Sequence, residues 1–593
     1  MQHFLPHVAR DSNAGAGPRT LPVAIALLSA VTVTGCGSQA GGGESRTETD
    51  TAGPPVTTEA IAAAEQVIGL EFTEAERRQM LEPAALFSGL EERRAAYARI
   101  RREDIGNDVP PALIFRPHPP AVPVERGDPD WPAPPSVDPP EELESLAFAS
   151  VRELGALLRA GHVTSVELTR MYLDRLRRHD SVLHAVVTLT EDLALEQARR
   201  ADRELRNGTD RGPLHGIPYG LKDLFSVPDY PTTWGATPYR DQVLDETATV
   251  ASRLEEAGAV LVAKTTLGAL AWGDVWFGGR TRNPWNTEQG SGGSSAGSAA
   301  TVSAGLVPFA IGTETLGSIL SPSTRTGVTG LRPSFGRVSR HGGMFVSWSM
   351  DKVGPICRRA LDCALVFDAI RGPDGEDPTL VDRPFPFEAA ESLEGRRIGY
   401  VQASFERDYD GREADRRVLD VLRELGAEMV PIELPDRPVE SLAFILAAEA
   451  ATAHDSLTRT DLDSTLVRQQ AAAWPNVYRT ARFVPAVEYL QANQVRWLLG
   501  RDMRQLMTDL DAYVAPTSGG PTLLLTNLTG HPSVAVPNGF DDGESPRSIT
   551  FVGTMYGEAD LLEIVSVYQD ATGWDERHPP EFTPADADSA DRR

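Results

Sequence analysis

Apolar residues in this chain fall into two alternating patterns. From Ser165, Val166, Leu168, Met171, Tyr172 and Leu176 return at helical intervals, with Ser165 placed to cap the helix. The run LALEQARRADREL predicts a second helix, and VASRLEEAG a third that stops at Gly258. Between the helices lie short unbroken apolar runs, AVLVA at Ala259–Ala263 and GLVPFAI at Gly305–Ile311. Runs of that length, buried on both sides, are the mark of interior strands. Strands alternating with helices predict an α/β domain over 141–580, built on a large central mixed sheet covered by helices on both faces.

Outside that domain the pattern changes. Residues 57–108 carry helical spacing, with Thr73 and Glu76 set as a capping box and Leu70, Met80, Leu81, Leu86, Phe87 and Leu90 as the apolar face. They predict a small helical appendage. Proline density over 109–140 excludes helix and central strand and predicts an extended linker or strap. Residues 581–593 read as a disordered tail. Near the start, Arg10 and Arg19 precede LPVAIALLSAVTV, Leu21–Val33, which is too short for a comfortable membrane span and suits a signal-peptide core. It runs into VTGC, which resembles the bacterial lipoprotein cleavage box. The expectation is a signal peptide over 1–35, lipidation of Cys36, a polar disordered tether over 36–56, and a protein held outside the cytoplasm on a bacterial membrane by its lipid alone.

Composition adds two exclusions. The net charge of −27 argues against nucleic acid as a partner, because phosphate contacts need a surplus of Lys and Arg. Three cysteines, Cys36, Cys357 and Cys363, are too few for a disulfide framework and do not have zinc-site spacing, so Cys357 and Cys363 read as buried apolar side chains.

Three segments carry candidate chemistry. GAVLVAKT, Gly258–Thr265, approaches a phosphate-binding loop, but its strand lies inside the supposed loop, which makes Lys264 structural. GSSAG, Gly293–Gly297, matches the serine-hydrolase elbow and would make Ser295 the nucleophile. That elbow needs a preceding strand, and TRNPWNTEQGSG supplies no apolar run. The downstream histidines His341, His454, His531 and His578 sit in no readable signature. In IGTETLGS the predicted strand ends at Ile311 and a tight turn delivers Ser318, where successive backbone N–H groups can face one point. A serine-capped helix start explains the same residues equally well.

Together these segments resemble the amidase signature family, whose core has runs like GGSSGGSAA, GTDxGGSIR and GIPVAVKD. Here they stand as GGSSAGSAA from Gly292, GTETLGSIL from Gly312 and GIPYGLKD from Gly216. EEAGAVLVAKTTL, TRNPWN, GVTGLRPSFGRVSR, DKVGPICR and, as a closing strand, LTGHPSVAVPNGF follow in the family's order. The resemblance implies a Ser–Ser–Lys triad: Ser318 as nucleophile, Ser294 as the relay that follows a cis peptide bond, and Lys222 as base. Backbone N–H groups of Thr315, Leu316, Gly317 and Ser318 would hold the oxyanion. It implies hydrolysis of a carboxamide C–N bond in a small-molecule or peptide amide through an acyl-enzyme. No metal or organic cofactor is implied, since the triad supplies base, relay and nucleophile.

Lys222 can serve as base only when neutral. Its ordinary pKa of about 10.4 forbids that near pH 7, and a fall of ~3 units costs about 4 kcal/mol of desolvation. Asp223 is adjacent, but on extended backbone its side chain points to the opposite face. Four positions depart from the family pattern: Glu314 for Asp, Leu316 and Ala296 for Gly, and Leu320 for Arg. Leu316 would be strained if the site requires positive φ. Loss of the arginine at 320 removes a carboxylate–guanidinium pair that Arg325 could replace. Two other readings follow from the same residues. One is the related amidotransferase subunit that amidates glutamate on tRNA, against which the lipobox and the charge argue. The other is a non-catalytic binding protein on this fold.

Overall fold

The computed structural model describes residues 55–68, 74–79, 81 and 129–584, apart from 471, 483, 519 and 543. The chain divides after Val56, and every element below belongs to the unit Thr57–Arg593. The signal peptide, Cys36, the tether and most of the appendage and proline-rich expectations lie outside the described residues. Of the appendage, α1 (Thr58–Ile68) and α2 (Glu74–Gln79) are described, joined by a Glu65–Arg77 ion pair at 2.6 Å. Residues 131–140 form neither helix nor strand, and Trp131 packs on Phe385 and Phe387.

Eleven strands form the central sheet: β1 (Val186–Leu189), β2 (Pro218–Lys222), β3 (Val260–Thr265), β4 (Phe309–Glu314), β5 (Thr329–Arg332), β6 (Lys352–Cys357), β7 (Arg397–Val401), β8 (Glu428–Ile432), β9 (Ala512–Pro516), β10 (Ser533–Phe540) and β11 (Pro546–Gly553). Their spatial order is β1-β3-β2-β4-β6-β5-β10-β11-β9-β7-β8. β2 runs parallel to β3 and β4, and β7 parallel to β8 and β9; the remaining pairs are antiparallel. Both faces are covered. Along β3, Val260 and Val262 enter one apolar core and Leu261 another; along β4, Phe309 and Ile311 enter the second and Ala310 the first. Alternate residues of a strand point to opposite faces, so unbroken apolar runs follow from burial on both.

The principal helices of the domain are α3 (Val151–Ala160), α4 (Ser165–Leu183), α5 (Glu191–Arg206), α6 (Thr249–Glu256), α7 (Ala296–Ser303), α8 (Leu320–Thr326), α9 (Ala360–Ile370), α10 (Arg412–Glu424), α11 (Phe444–Ala453), α12 (Ala486–Leu506), α13 (Thr522–Thr529) and α14 (Glu558–Thr572). Three expectations are corrected. The cap of α4 is Thr164, one residue before Ser165: its hydroxyl accepts from the Glu167 N–H, and the Glu167 carboxylate accepts from the Thr164 N–H. The strand expected at Gly305–Ile311 begins at Phe309, because residues 305–308 carry the chain out of α7 before it can pair. Of the tail expected over 581–593, residues 581–584 are described and packed: Phe582 is buried and its carbonyl accepts from Arg175 at 2.7 Å. Cys357 and Cys363 are buried and unbridged. Among the described residues no helix is long and apolar enough to cross a membrane.

Candidate active site

The site forms where β2 and β4 end. The two strands are parallel, so their carboxyl ends lie on the same edge, the place where open α/β sheets put their ligands. β2 delivers Lys222 and β4 delivers Thr313 and Glu314. The loop before α7 supplies Ser294 and Ser295, and the turn from β4 to α8 supplies Ser318.

Lys222 is fully buried. Its Nζ lies 2.8 Å from Ser294 Oγ, 3.0 Å from Ser295 Oγ and 2.8 Å from Thr313 Oγ1, all donor bonds of the ammonium form. Its three short contacts are all hydroxyls, and a longer one at 3.4 Å goes to the Thr313 carbonyl; no carboxylate pairs with it. Burial lowers the Lys222 pKa to about 7; Asp351 and Glu314, more distant, pull the other way. Ser294 and Ser295 directly precede the amino-terminal end of α7, whose partial positive charge disfavours an ammonium beside it. Deprotonated, Nζ turns its lone pair to Ser294, which then donates. The Gly293–Ser294 peptide bond is cis, as the resemblance implied.

Asp223 faces away from Lys222, as extended backbone requires. It pairs with Lys264 at 2.8 Å, and the Lys264 ammonium also donates to Pro231 O and Thr232 Oγ1. Lys264 is therefore a buried structural cation inside β3, with no phosphate loop around it. Ser295 is fully buried; its Oγ donates to Thr313 O at 3.1 Å and accepts from the Thr313 N–H. No apolar strand precedes it: residues 286–290 belong to a short polar ribbon. The histidines are engaged elsewhere, His341 with Thr249 and Glu246, His454 against Tyr478, His531 with Thr529 and His578 stacked on Phe148.

The turn after β4 exposes a row of donors. Among the described residues no acceptor pairs with the backbone N–H of Thr315, Leu316, Gly317 or Ser318. The left-handed conformation falls on Gly317 at φ 81°, and Leu316 is not among the residues of positive φ, so the strain expected at Leu316 is absent. The Ser318 carbonyl accepts from the Ser295 N–H at 3.0 Å, which ties the nucleophile turn to the relay loop.

Glu314 anchors the turn from below. Its Oε2 accepts from the N–H groups of Ile319 and Leu320, each at 2.9 Å, and its Oε1 from Arg332 at 2.7 Å and Asn527 at 2.9 Å. Burial alone would raise this carboxyl, but the Arg332 guanidinium and these donors hold it down to about 2. The pair lost at Leu320 is thus replaced by Arg332 from β5. Arg325 points instead to Gly290 O and Gln289. Beside Thr313 and Thr315 lies a cavity of about 10 Å³, room for about one water, also lined by Asp351 and Lys352. Asp351 accepts from Thr315 Oγ1 at 2.6 Å and from the N–H groups of Val346 and Ser347, and burial raises its pKa.

Sequence reading missed Ser295 and Thr313 as holders of the lysine, and Arg332, Asn527 and Asp351 as supports. The doubled serine was a local signal for Ser295. Asn527 is brought to Glu314 by the sheet order alone. Among the described residues no group of His, Cys, Asp and Glu is arranged to hold a metal ion.

Comparison with known proteins agrees with this geometry. The family model described as Amidase matches residues 167–526. The A subunit of the glutamyl-tRNA(Gln) amidotransferase of Methylococcus capsulatus is 34% identical over 478 residues, 72% of this chain and 98% of the relative. Its namesake from a Roseiflexus species is 36% identical over 490 residues, 74% and 98% of the two chains. Among solved structures, the peptide amidase of Stenotrophomonas maltophilia superposes with a TM-score of 0.66 at 32% identity, covering 74% of this chain and 100% of that one. An amidase family protein of Bacillus anthracis superposes with a TM-score of 0.65 at 26% identity, over 74% and 93%. The chain belongs to the amidase signature family and is an enzyme of amide C–N bonds.

Proposed function

We propose that this protein is an amidohydrolase that opens a carboxamide through an acyl-enzyme. The observation that carries the reading is a fully buried lysine paired with no carboxylate, its Nζ 2.8 Å from Ser294 Oγ, in a site that also holds a turn of free N–H donors. Neutral Lys222 takes the Ser294 proton while Ser294 takes that of Ser318, and Ser318 Oγ bonds to the amide carbon. The N–H groups of residues 315–318 receive the oxyanion. Collapse breaks the C–N bond, and the amine leaves with the proton returned through Ser294. Water, activated along the same relay, releases the acid.

The test is a fluorophosphonate probe on the full chain, with the adduct mapped by peptide mass spectrometry. The adduct is expected on Ser318, lost in Ser318→Ala and slowed at least about 100-fold in Lys222→Ala. An adduct on Ser295 moves the nucleophile, and no adduct on folded protein favours a binding role. The relatives' names favour a second reading, an amidotransferase component working with partner subunits. Ammonia release by the isolated chain from simple or peptide amides supports hydrolysis; turnover of glutamine alone, and only with a co-purified partner, supports the second. For localisation we propose tethering through Cys36. A Cys36→Ser chain expressed in a bacterium is expected to leave the detergent phase; retention there rejects the lipid.

A further inference from the structure

Two leucines, Leu316 and Leu523, stand at the nucleophile turn. Gly317 reverses the chain so that Ser318 is drawn in, 8% exposed, while Leu316 stays out at 38%. The first turn of α13 lies over the same point: a Cβ placed on Gly317 would stand 3.2 Å from Leu523 Cδ2. α13 is fixed there rather than resting there. Leu523 and Asn527 are four residues apart and share a helix face, and Asn527 donates to Glu314 beneath the turn. The charges below, Glu314, Arg332 and Lys222, are buried and held by one another, by hydroxyls and by backbone or amide groups. A group approaching the free N–H donors past Leu316 and Leu523 therefore meets two leucines.

We propose that Leu316 and Leu523 form an apolar lip that selects carboxamides whose group adjoining the scissile carbonyl is hydrocarbon, and disfavours those carrying a charged α-substituent. The proposal rests on Ser318 as nucleophile. It depends on residues in which this chain departs from its family pattern, with Leu316 standing where glycine is usual. A charged ammonium or carboxylate pressed against the two leucine side chains loses water and gains no partner from them, whereas an alkyl group gains buried area.

The experiment measures ammonia release by the full chain from hexanamide and from alaninamide, which bears an α-ammonium, in the wild type and in Leu523→Ala, Leu316→Gly and Leu316→Met. Phosphonate labelling of Ser318 checks the triad in each. The wild type is expected to favour hexanamide in kcat/KM. Leu523→Ala and Leu316→Gly are expected to reduce that preference about 10-fold or more, mainly through KM, and Leu316→Met to keep it. Equal losses on both amides, or a wild-type preference for alaninamide, overturn the lip. Absence of both turnover and labelling in folded wild type is instead failure of the catalytic reading, and the lip falls with it.

Discussion

In the proposed mechanism Lys222 is the base, and to act it must be uncharged. With its pKa lowered to about 7 by burial, the base is protonated in acid and free above neutrality. We expect kcat/KM to rise with pH to a midpoint near 7 and then level off, read from a pH–rate profile. Asp351 stabilises the ammonium, so Asp351→Asn should move that midpoint down. Stability follows the same group. Between about pH 7 and 10.5 the unfolded chain holds a proton on this lysine that the folded chain does not, so unfolding free energy gains as pH rises. Lys222→Met should lack that gain, seen as a Tm difference that widens in favour of the wild type from pH 7 to pH 10. Glu314→Gln should leave Arg332 without its anion, costing about 3–5 kcal/mol in a urea midpoint and lowering kcat more than it raises KM. Lys222, Ser294 and Ser318 could be singled out in the sequence because each sits in its own local motif. Arg332 was not, since nothing near it in sequence points to residue 314, and the nearer Arg325 offered itself falsely.

At the level of elements, local signals worked where the cause is local. The cap of α4 was visible to within one residue, and Thr164→Ala should cost about 1 kcal/mol in denaturant unfolding while leaving kcat/KM intact. Strand starts were less legible. The apolar run from Gly305 continues through residues that leave a helix, and only pairing with β6 decides that β4 begins at Phe309. Gly312 shows a constraint no pattern reveals. A Cβ there would lie 2.7 Å from Ser295 Oγ, so the strand must be bare where the relay loop crosses it. Gly312→Ala should displace Ser295, lower kcat at least about 10-fold, and destabilise by about 1–3 kcal/mol.

For the molecule as a whole, class was legible and order was not. Alternating strands and helices announced a covered mixed sheet, but periodicity cannot say that β10, late in the chain, lies beside β5. The charge of −27 acts at this scale too. It should prevent retardation of tRNA in a native gel at low salt, where phosphate attraction is strongest; a shifted band there would revive the tRNA-linked reading. The strand order also sets a sequence of events in time. A growing polypeptide emerges with Lys222, Ser294 and Ser318 long before Asn527, Ser533 and the strand that flanks β5. Until those residues leave the ribosome, Glu314 lacks one of its holders, Arg332 lacks two of its acceptors, and the donor row has no fixed aim. The support beneath the nucleophile turn is thus completed only after residues 527–533 have been made, well after the candidate catalytic residues themselves.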